Sequence, residues 1–257
     1  VNLKEKIYKP LSVRLRPTKL EEFVGQEHIL AEGKLLRRQI EEDKLTSMIL
    51  YGPSGCGKTS LASVIAASTN CEFFSINATT SGVLDIKRIL ERAHIQKFAS
   101  TSKKIILLIE EIHRFNRPQQ DALLPDVEEA NIIIIGTTTL NPYFGISSPL
   151  VSRCMIFELK PLSKKDLEVI INRALNDEEK GLGKYKIKLD NSAKELIINY
   201  SDGDARRVLN ALELGTLIAK KNNTGTLNFD LKIAEEVMQR KKIVYDKSDA
   251  QHYDTIS

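Results

Sequence analysis

Eight residues, Gly52-Pro53-Ser54-Gly55-Cys56-Gly57-Lys58-Thr59, combine three glycines, a lysine and a hydroxyl at the spacing G-x-x-x-x-G-K-[ST]. Glycines at those positions let backbone N–H groups turn inward around phosphate oxygens, and a helix beginning at Gly57 adds the positive end of its dipole. Lys58 can then reach the β- and γ-phosphates of a nucleoside triphosphate. The Thr59 hydroxyl can join the shell of a Mg²⁺ ion, and Ser60 completes the first helical turn. Downstream, Lys104–Glu111 reads KIILLIEE, an apolar strand ending in two carboxylates. Glu110 stands where a carboxylate supports the metal, and Glu111 where one polarises an attacking water. Asp is usual at the first of these positions. The extra methylene of Glu110 alters the metal–water geometry and bears on the hydrolysis rate more than on binding.

Two further polar marks follow core strands. Thr137-Thr138-Thr139-Leu140-Asn141 comes after the run NIIII, a place for a side chain that senses the γ-phosphate. Asn141 is the first candidate and Thr138 the second, with plain turn residues as the bland alternative. Ser152-Arg153-Cys154 follows a Pro-Leu-Val turn, and an arginine there is either a surface charge or one that faces a neighbouring subunit's nucleotide.

The elements that must position these residues can be read from periodicity. Thr46–Tyr51, Glu72–Ile76, Lys104–Ile109 and Asn131–Thr137 are short apolar runs bounded by turn residues, as expected of buried strands. Helical spacing predicts helices over 28–42, 57–68, 83–98 and 118–129. Strands alternating with helices of this length imply right-handed crossovers and a parallel sheet covered on both faces. After Pro161 the pattern becomes helical. Ser163-Lys164-Lys165-Asp166 is a helix start, Asn176–Lys188 a charged loop, and further helices are expected at 191–200, 203–220 and 229–239. Residues 1–160 therefore read as an α/β nucleotide-binding domain and 161–240 as a small all-α domain. Residues 241–257 read as the start of a linker.

Composition excludes several classes. The 257 residues are 42% hydrophobic and 28% charged, ordinary for a globular protein. No run reaches the roughly 18 apolar residues of a membrane span, so no membrane partner is expected. The opening VNLKEKIYKP is charged and has no apolar core after it, so no secretory signal is expected. Val1 in place of Met suggests a fragment or a processed form. Cys56, Cys71 and Cys154 lack C-x-x-C spacing, which argues against structural zinc and for a reduced, intracellular chain. Of the net charge of +4, the surplus lies in Lys4, Lys6, Lys9, Arg14, Arg16 and Lys19, set against Glu5 alone. That is too small and too local to argue for a DNA groove.

With these motifs in hand, the sequence resembles the AAA+ ATPases and, within them, the clamp-loader-like RarA/MgsA/Werner-helicase-interacting-protein family. The resemblance rests on LSVRLRPTKLEEFVGQEHIL, YGPSGCGKTS, EEIHRFNRPQQDALLP, GTTTLNPYF, LVSRC and DGDARRVLNALE, spread over residues 11–213. It implies an α/β P-loop NTPase fold with a helical lid, binding ATP and Mg²⁺. By motif it makes Glu110 and Glu111 the Walker B pair, Asn141 sensor 1, Arg153 an arginine finger acting in trans, and Arg206 sensor 2, with Arg207 the alternative. It also places Arg16, Val24 and Gln26 in the segment that wraps the adenine. The implied partners are single-stranded or forked DNA, further copies of the chain in a tetramer or ring built by a C-terminal domain, and replication-clamp and polymerase-associated proteins. The location would be nuclear in a eukaryote and cytoplasmic in a bacterium.

Three functions compete on this reading. The first is a DNA-stimulated ATPase acting in replication-fork maintenance. The second, a DExH-type helicase suggested by Glu110-Glu111-Ile112-His113, fails because two such lobes need about 150 residues each; His113 then reads as a helix-start residue. The third is a slowly hydrolysing ATP-dependent scaffold, kept in play by Glu110.

Overall fold

The four expected runs become parallel strands, and Met155–Glu158, which the sequence reading did not mark as a strand, adds a fifth. They are β1 (Met48–Tyr51), β2 (Glu72–Asn77), β3 (Ile105–Glu110), β4 (Ile132–Thr138) and β5 (Met155–Glu158), in the order β2-β3-β4-β1-β5. The computed structural model describes residues 9–97, 103–222 and 225–238. Strand residues alternate between two apolar layers, as the period of two requires. Met48, Leu50, Ile106, Leu108, Ile133 and Ile135 face one layer, which also takes Leu61, Val64 and Ile65 of the helix Lys58–Ala67. Ile49, Ile105, Leu107, Ile109, Ile132 and Ile134 face the other, with Ile86, Leu90 and Ala93 of the helix Val83–Lys97. Each such side chain, fully buried, contributes about 1.5–3 kcal/mol. Helices thus cover both faces, and only the strand edges are left for chemistry.

The predicted helix over 28–42 is broken into Glu27–Leu30 and Leu35–Glu41, with Gly33 at φ +79° in the turn between them. The predicted helix over 118–129 is likewise two. Arg117–Asp121 opens on a capping box between Asn116 and Gln119, and Leu124–Glu128 carries Pro125 in its first turn, where a missing N–H costs nothing.

The chain divides into two compact units, one formed by Pro17–Pro161 and the other by the segment before Pro17 together with the chain from Leu162. The second unit holds the helices Lys164–Asn176, Asn191–Ser201 and Ala205–Ile218, and a helix over 231–238. Ser163 and Asp166 cap the first of these reciprocally. Leu167, Ile171, Ile197, Val208, Leu212 and Phe229 form its core. Gly215 lets the Phe229 ring close on its helix, since a Cβ there would lie 2.2 Å from the ring.

Two expectations about this unit need correction. It is not all-α: β6 (Ile187–Leu189), inside the expected loop, pairs in parallel with β7 (Leu227–Phe229), where a helix was expected to begin. Nor do residues 9–16 belong to the nucleotide-binding domain. Leu11 is fully buried in the second unit's core, its N–H donates to Glu213 Oε1 at 2.9 Å, and Arg14 donates to the Lys180 carbonyl at 2.6 Å. The apolar side chain and the paired guanidinium fix the segment there. Residues 241–257, expected to be a linker, lie outside the described residues.

Candidate nucleotide site

In a parallel sheet all carboxyl ends open on one edge, and here β1, β3 and β4 deliver Gly52, Glu110 and Thr138 to it. Tyr51 is in register with Thr138, and the Gly52 N–H donates to the Thr138 carbonyl at 3.2 Å. Glycine is required at position 52 by close approach: a Cβ would meet the Leu159 carbonyl oxygen at 2.2 Å. At Gly57, φ is +103° and a Cβ would press on the Phe23 ring at 3.0 Å. The helix Lys58–Ala67 starts at Gly57 with no side-chain cap and no acidic residue in its first turn. A helix start without a side-chain cap suits an anion. Lys58 is buried, and its Nζ donates to the carbonyls of Gly52 and Pro53, each at 2.7 Å. Pro53 and Ser54 are exposed at the tip, Gly55 has φ +67°, Cys56 is buried beneath, and Thr59 and Ser60 are half-buried on the first turn.

The segment expected to wrap the adenine divides. Arg16 is exposed and belongs to the second unit, whereas Val24 is half-buried and Phe23 stands against Gly57 in the first. Gln26, buried at φ +61°, spends its carboxamide on the protein itself. Nε2 donates to the Lys160 carbonyl at 2.7 Å and lies 3.4 Å from the Cys56 carbonyl, and Oε1 accepts the Lys160 N–H at 2.9 Å. It therefore holds the phosphate loop to the strand exit after β5.

Glu110 ends β3, half-buried, and Glu111 follows in the left-handed region at φ +54°, turning the chain into a 3₁₀ turn over Ile112–Arg114. That turn carries His113, which the sequence reading took for a helix-start residue with no part in the site. His113 Nδ1 lies 2.8 Å from Thr138 Oγ1 and 3.6 Å from Glu111 Oε2. Burial, the larger effect, pushes the His113 pKa below its ordinary value, while the Glu111 charge pulls it back up. Thr138 Oγ1 also accepts the Leu140 N–H at 3.0 Å. Asn141 is not drawn in: it is exposed, and its side-chain oxygen accepts the Tyr143 N–H to cap the turn Pro142–Gly145. Of the two sensor candidates, Thr138 is the one that meets His113, beside Glu111.

Arg153 stands at the opposite edge. It precedes Met155, which is in register with Met48 at the start of β1, so the length of β1 separates it from its own phosphate loop. At ~3.3 Å per residue that is about 13 Å. Its guanidinium pairs with Glu128 and donates to the Pro149 carbonyl at 2.7 Å. In the second unit, Arg206 is exposed on the first turn of Ala205–Ile218, while Arg207 is held by Asp202 at 3.6 Å and Asp204 at 3.8 Å.

Comparison with known proteins bears on the family and the fold. Residues 48–162 match the model of the ATPase family associated with various cellular activities (AAA), and residues 183–257 match that of the AAA C-terminal domain. Replication-associated recombination protein A of Bacillus subtilis is 42% identical over 97% of this chain and 58% of its own length. ATPase WRNIP1 of Dictyostelium discoideum is 37% identical over the whole chain and 31% of its own length. The chain belongs to the AAA ATPases, as a homologue of these two proteins. It spans a little over half the length of the replication-associated recombination proteins A it matches. The fold also matches the solved Thermotoga maritima RuvB Holliday junction branch migration motor, with TM-score 0.66 and 27% identity over 88% of this chain and 72% of that one. The AAA match over residues 48–162 takes in the phosphate loop, Glu110, Glu111, Thr138 and Arg153. Among the described residues no helix is long and apolar enough to cross a membrane, and no group of three or more His, Cys, Asp or Glu side chains could by itself hold a metal.

Proposed function

We propose that the chain is the ATP-hydrolysing core of a DNA-stimulated AAA ATPase that acts in replication-fork maintenance and damage tolerance. The observation that carries this reading is the convergence of the uncapped helix start at Gly57, Lys58, the Glu110–Glu111 pair and Thr138 on one sheet edge. The DNA-directed part draws on the relatives' names alone.

The donors present are oxygens, which suit a hard divalent cation. Thr59 and Glu110 would hold Mg²⁺, which neutralises charge on the phosphates when bound. Lys58 exchanges its two backbone carbonyls for phosphate oxygens, Glu111 orients and deprotonates the attacking water, and Thr138 senses the terminal phosphate. Arg153, facing away from its own site, serves the site of a neighbouring copy, so turnover needs assembly into a tetramer or ring. The second unit takes the lid's part that the resemblance gives it, with Arg206, exposed, as sensor 2 in preference to the tied Arg207. Replication-clamp and polymerase-associated proteins are the expected partners.

Glu110 supports a second reading, a slow ATP-dependent scaffold. The two separate in an ATPase titration of the full-length protein with forked, single-stranded and duplex DNA, beside Glu110→Asp. Stimulation by one DNA form supports the motor. Equal, slow rates for both proteins with every DNA support the scaffold.

A further inference from the structure

We propose that His113 is a positioning residue that couples Glu111 to Thr138, so that occupancy of the terminal-phosphate position sets the catalytic carboxylate. This rests on the ATPase reading above and assigns a part to a side chain outside the nucleotide motifs.

The packing leaves the imidazole little freedom. Its side chain is 7% exposed. The turn that carries it is admitted by glycines on two other elements: a Cβ on Gly136 of β4 would lie 3.1 Å from Ile112, and a Cβ on Gly145 would lie 2.9 Å from His113 Cβ. Two acceptor oxygens face the same ring nitrogen, Thr138 Oγ1 at 2.8 Å and Glu111 Oε2 at 3.6 Å. Only the first is within hydrogen-bond distance. The negative charge of Glu111 favours the tautomer with its proton on Nδ1, and that proton then lies between a made bond at 2.8 Å and a second acceptor at 3.6 Å. Thr138 is fully buried at the strand end, and its hydroxyl already accepts the Leu140 N–H, which fixes its orientation. A phosphate oxygen that engages the Thr138 hydroxyl changes its claim on Nδ1, and the imidazole passes that change to Glu111. Positioning of this kind alters the rate at bound substrate and leaves nucleotide affinity nearly untouched.

The test uses the full-length protein in single-turnover ATP hydrolysis at saturating nucleotide, with affinity followed separately by a fluorescent ATP analogue. His113→Phe keeps the ring's bulk without its N–H and should lower the rate roughly 30- to 100-fold with affinity within about twofold. His113→Asn, whose amide nitrogen can stand near the Nδ1 position, should recover most of the loss. In a cycle with Thr138→Val, the double variant should be no slower than the slower single one. Wild-type rates in His113→Phe, or losses that multiply in the double variant, would overturn the proposal. If His113→Phe fails to fold, the comparison of His113→Asn with His113→Ala decides in the same way. Glu111→Gln runs beside them: turnover retained there overturns the reading of the site, whereas loss there with an active His113→Phe overturns the part given to His113 alone.

Discussion

Gln26 and Lys160 exchange two hydrogen bonds, the Lys160 N–H donating to Gln26 Oε1 at 2.9 Å and Gln26 Nε2 donating to the Lys160 carbonyl at 2.7 Å. A side-chain amide here takes the place of a neighbouring strand, pairing with the second residue beyond β5. Gln26→Ala removes both bonds and strands a backbone N–H and a carbonyl. The expected loss is about 1–3 kcal/mol, read as a lower urea midpoint. Nucleotide affinity should fall with it, because the same amide reaches the Cys56 carbonyl in the phosphate loop. An unchanged midpoint would refute the clamp.

Glu111→Gln should bind ATP as tightly as the parent and fail to turn it over, because the amide keeps the shape without the base. Lys58→Ala should lose binding itself. Equilibrium titration with a fluorescent nucleotide, paired with phosphate release, separates the two defects. Turnover at the parental rate in Glu111→Gln would move the catalytic role elsewhere.

Arg153→Ala breaks a pair with Glu128 in which both side chains are at least a third exposed, so its stability cost should be below about 1 kcal/mol. ATP affinity should hold. Turnover in assembled protein should fall by about 10³-fold or more, the scale of an arginine supplied in trans. Equal activity from a strictly monomeric preparation would contradict this.

His113 gives stability a pH dependence whose sign can be worked out. Burial holds its folded pKa below the ordinary 6.5, so the unfolded chain takes up the proton first. This contribution is therefore fully present above pH 6.5 and is lost as pH falls through that value toward the lower folded one. Urea midpoints at pH 7.5, 6.5 and 5.5 should drop less steeply for His113→Asn than for the parent. Parallel curves would show that His113 does not titrate as described.

Leu11→Ala should cost about 2–4 kcal/mol, since Leu11 is fully buried in the second unit's core. A midpoint like the parent's would mean that residues 9–16 are not held there.

Much of the fold was legible because its signals are local. IILLI and IIII are unbroken apolar runs rich in β-branched isoleucine, and the phosphate loop declares itself by glycines at fixed offsets. The rest depended on distant partners. Ile187-Lys188-Leu189 is a strand only because Leu227–Phe229 lies beside it, and its charged setting reads as loop. PLSVRLR has too few apolar positions to declare which core it joins. Gln26 stood within a recognisable motif, yet its bonding to a residue 134 positions away has no sequence signature. His113 and Thr138, 25 residues apart, meet only because β3 and β4 are neighbours in the sheet.

The docking of Leu11 onto Glu213 spans 202 positions of chain, with the whole of Pro17–Pro161 inserted between. During synthesis, the nucleotide-binding unit has all its strands before the second unit has its helices. The opening segment must then wait, unburied, for a core made last, and contacts of such high sequence separation form slowly. Cutting the gene at Pro161 would thus not yield two whole domains: the downstream piece would carry a gap where Leu11 belongs. A faithful excision of the second unit has to bring residues 9–16 with it, joined by a short linker or supplied as a separate peptide.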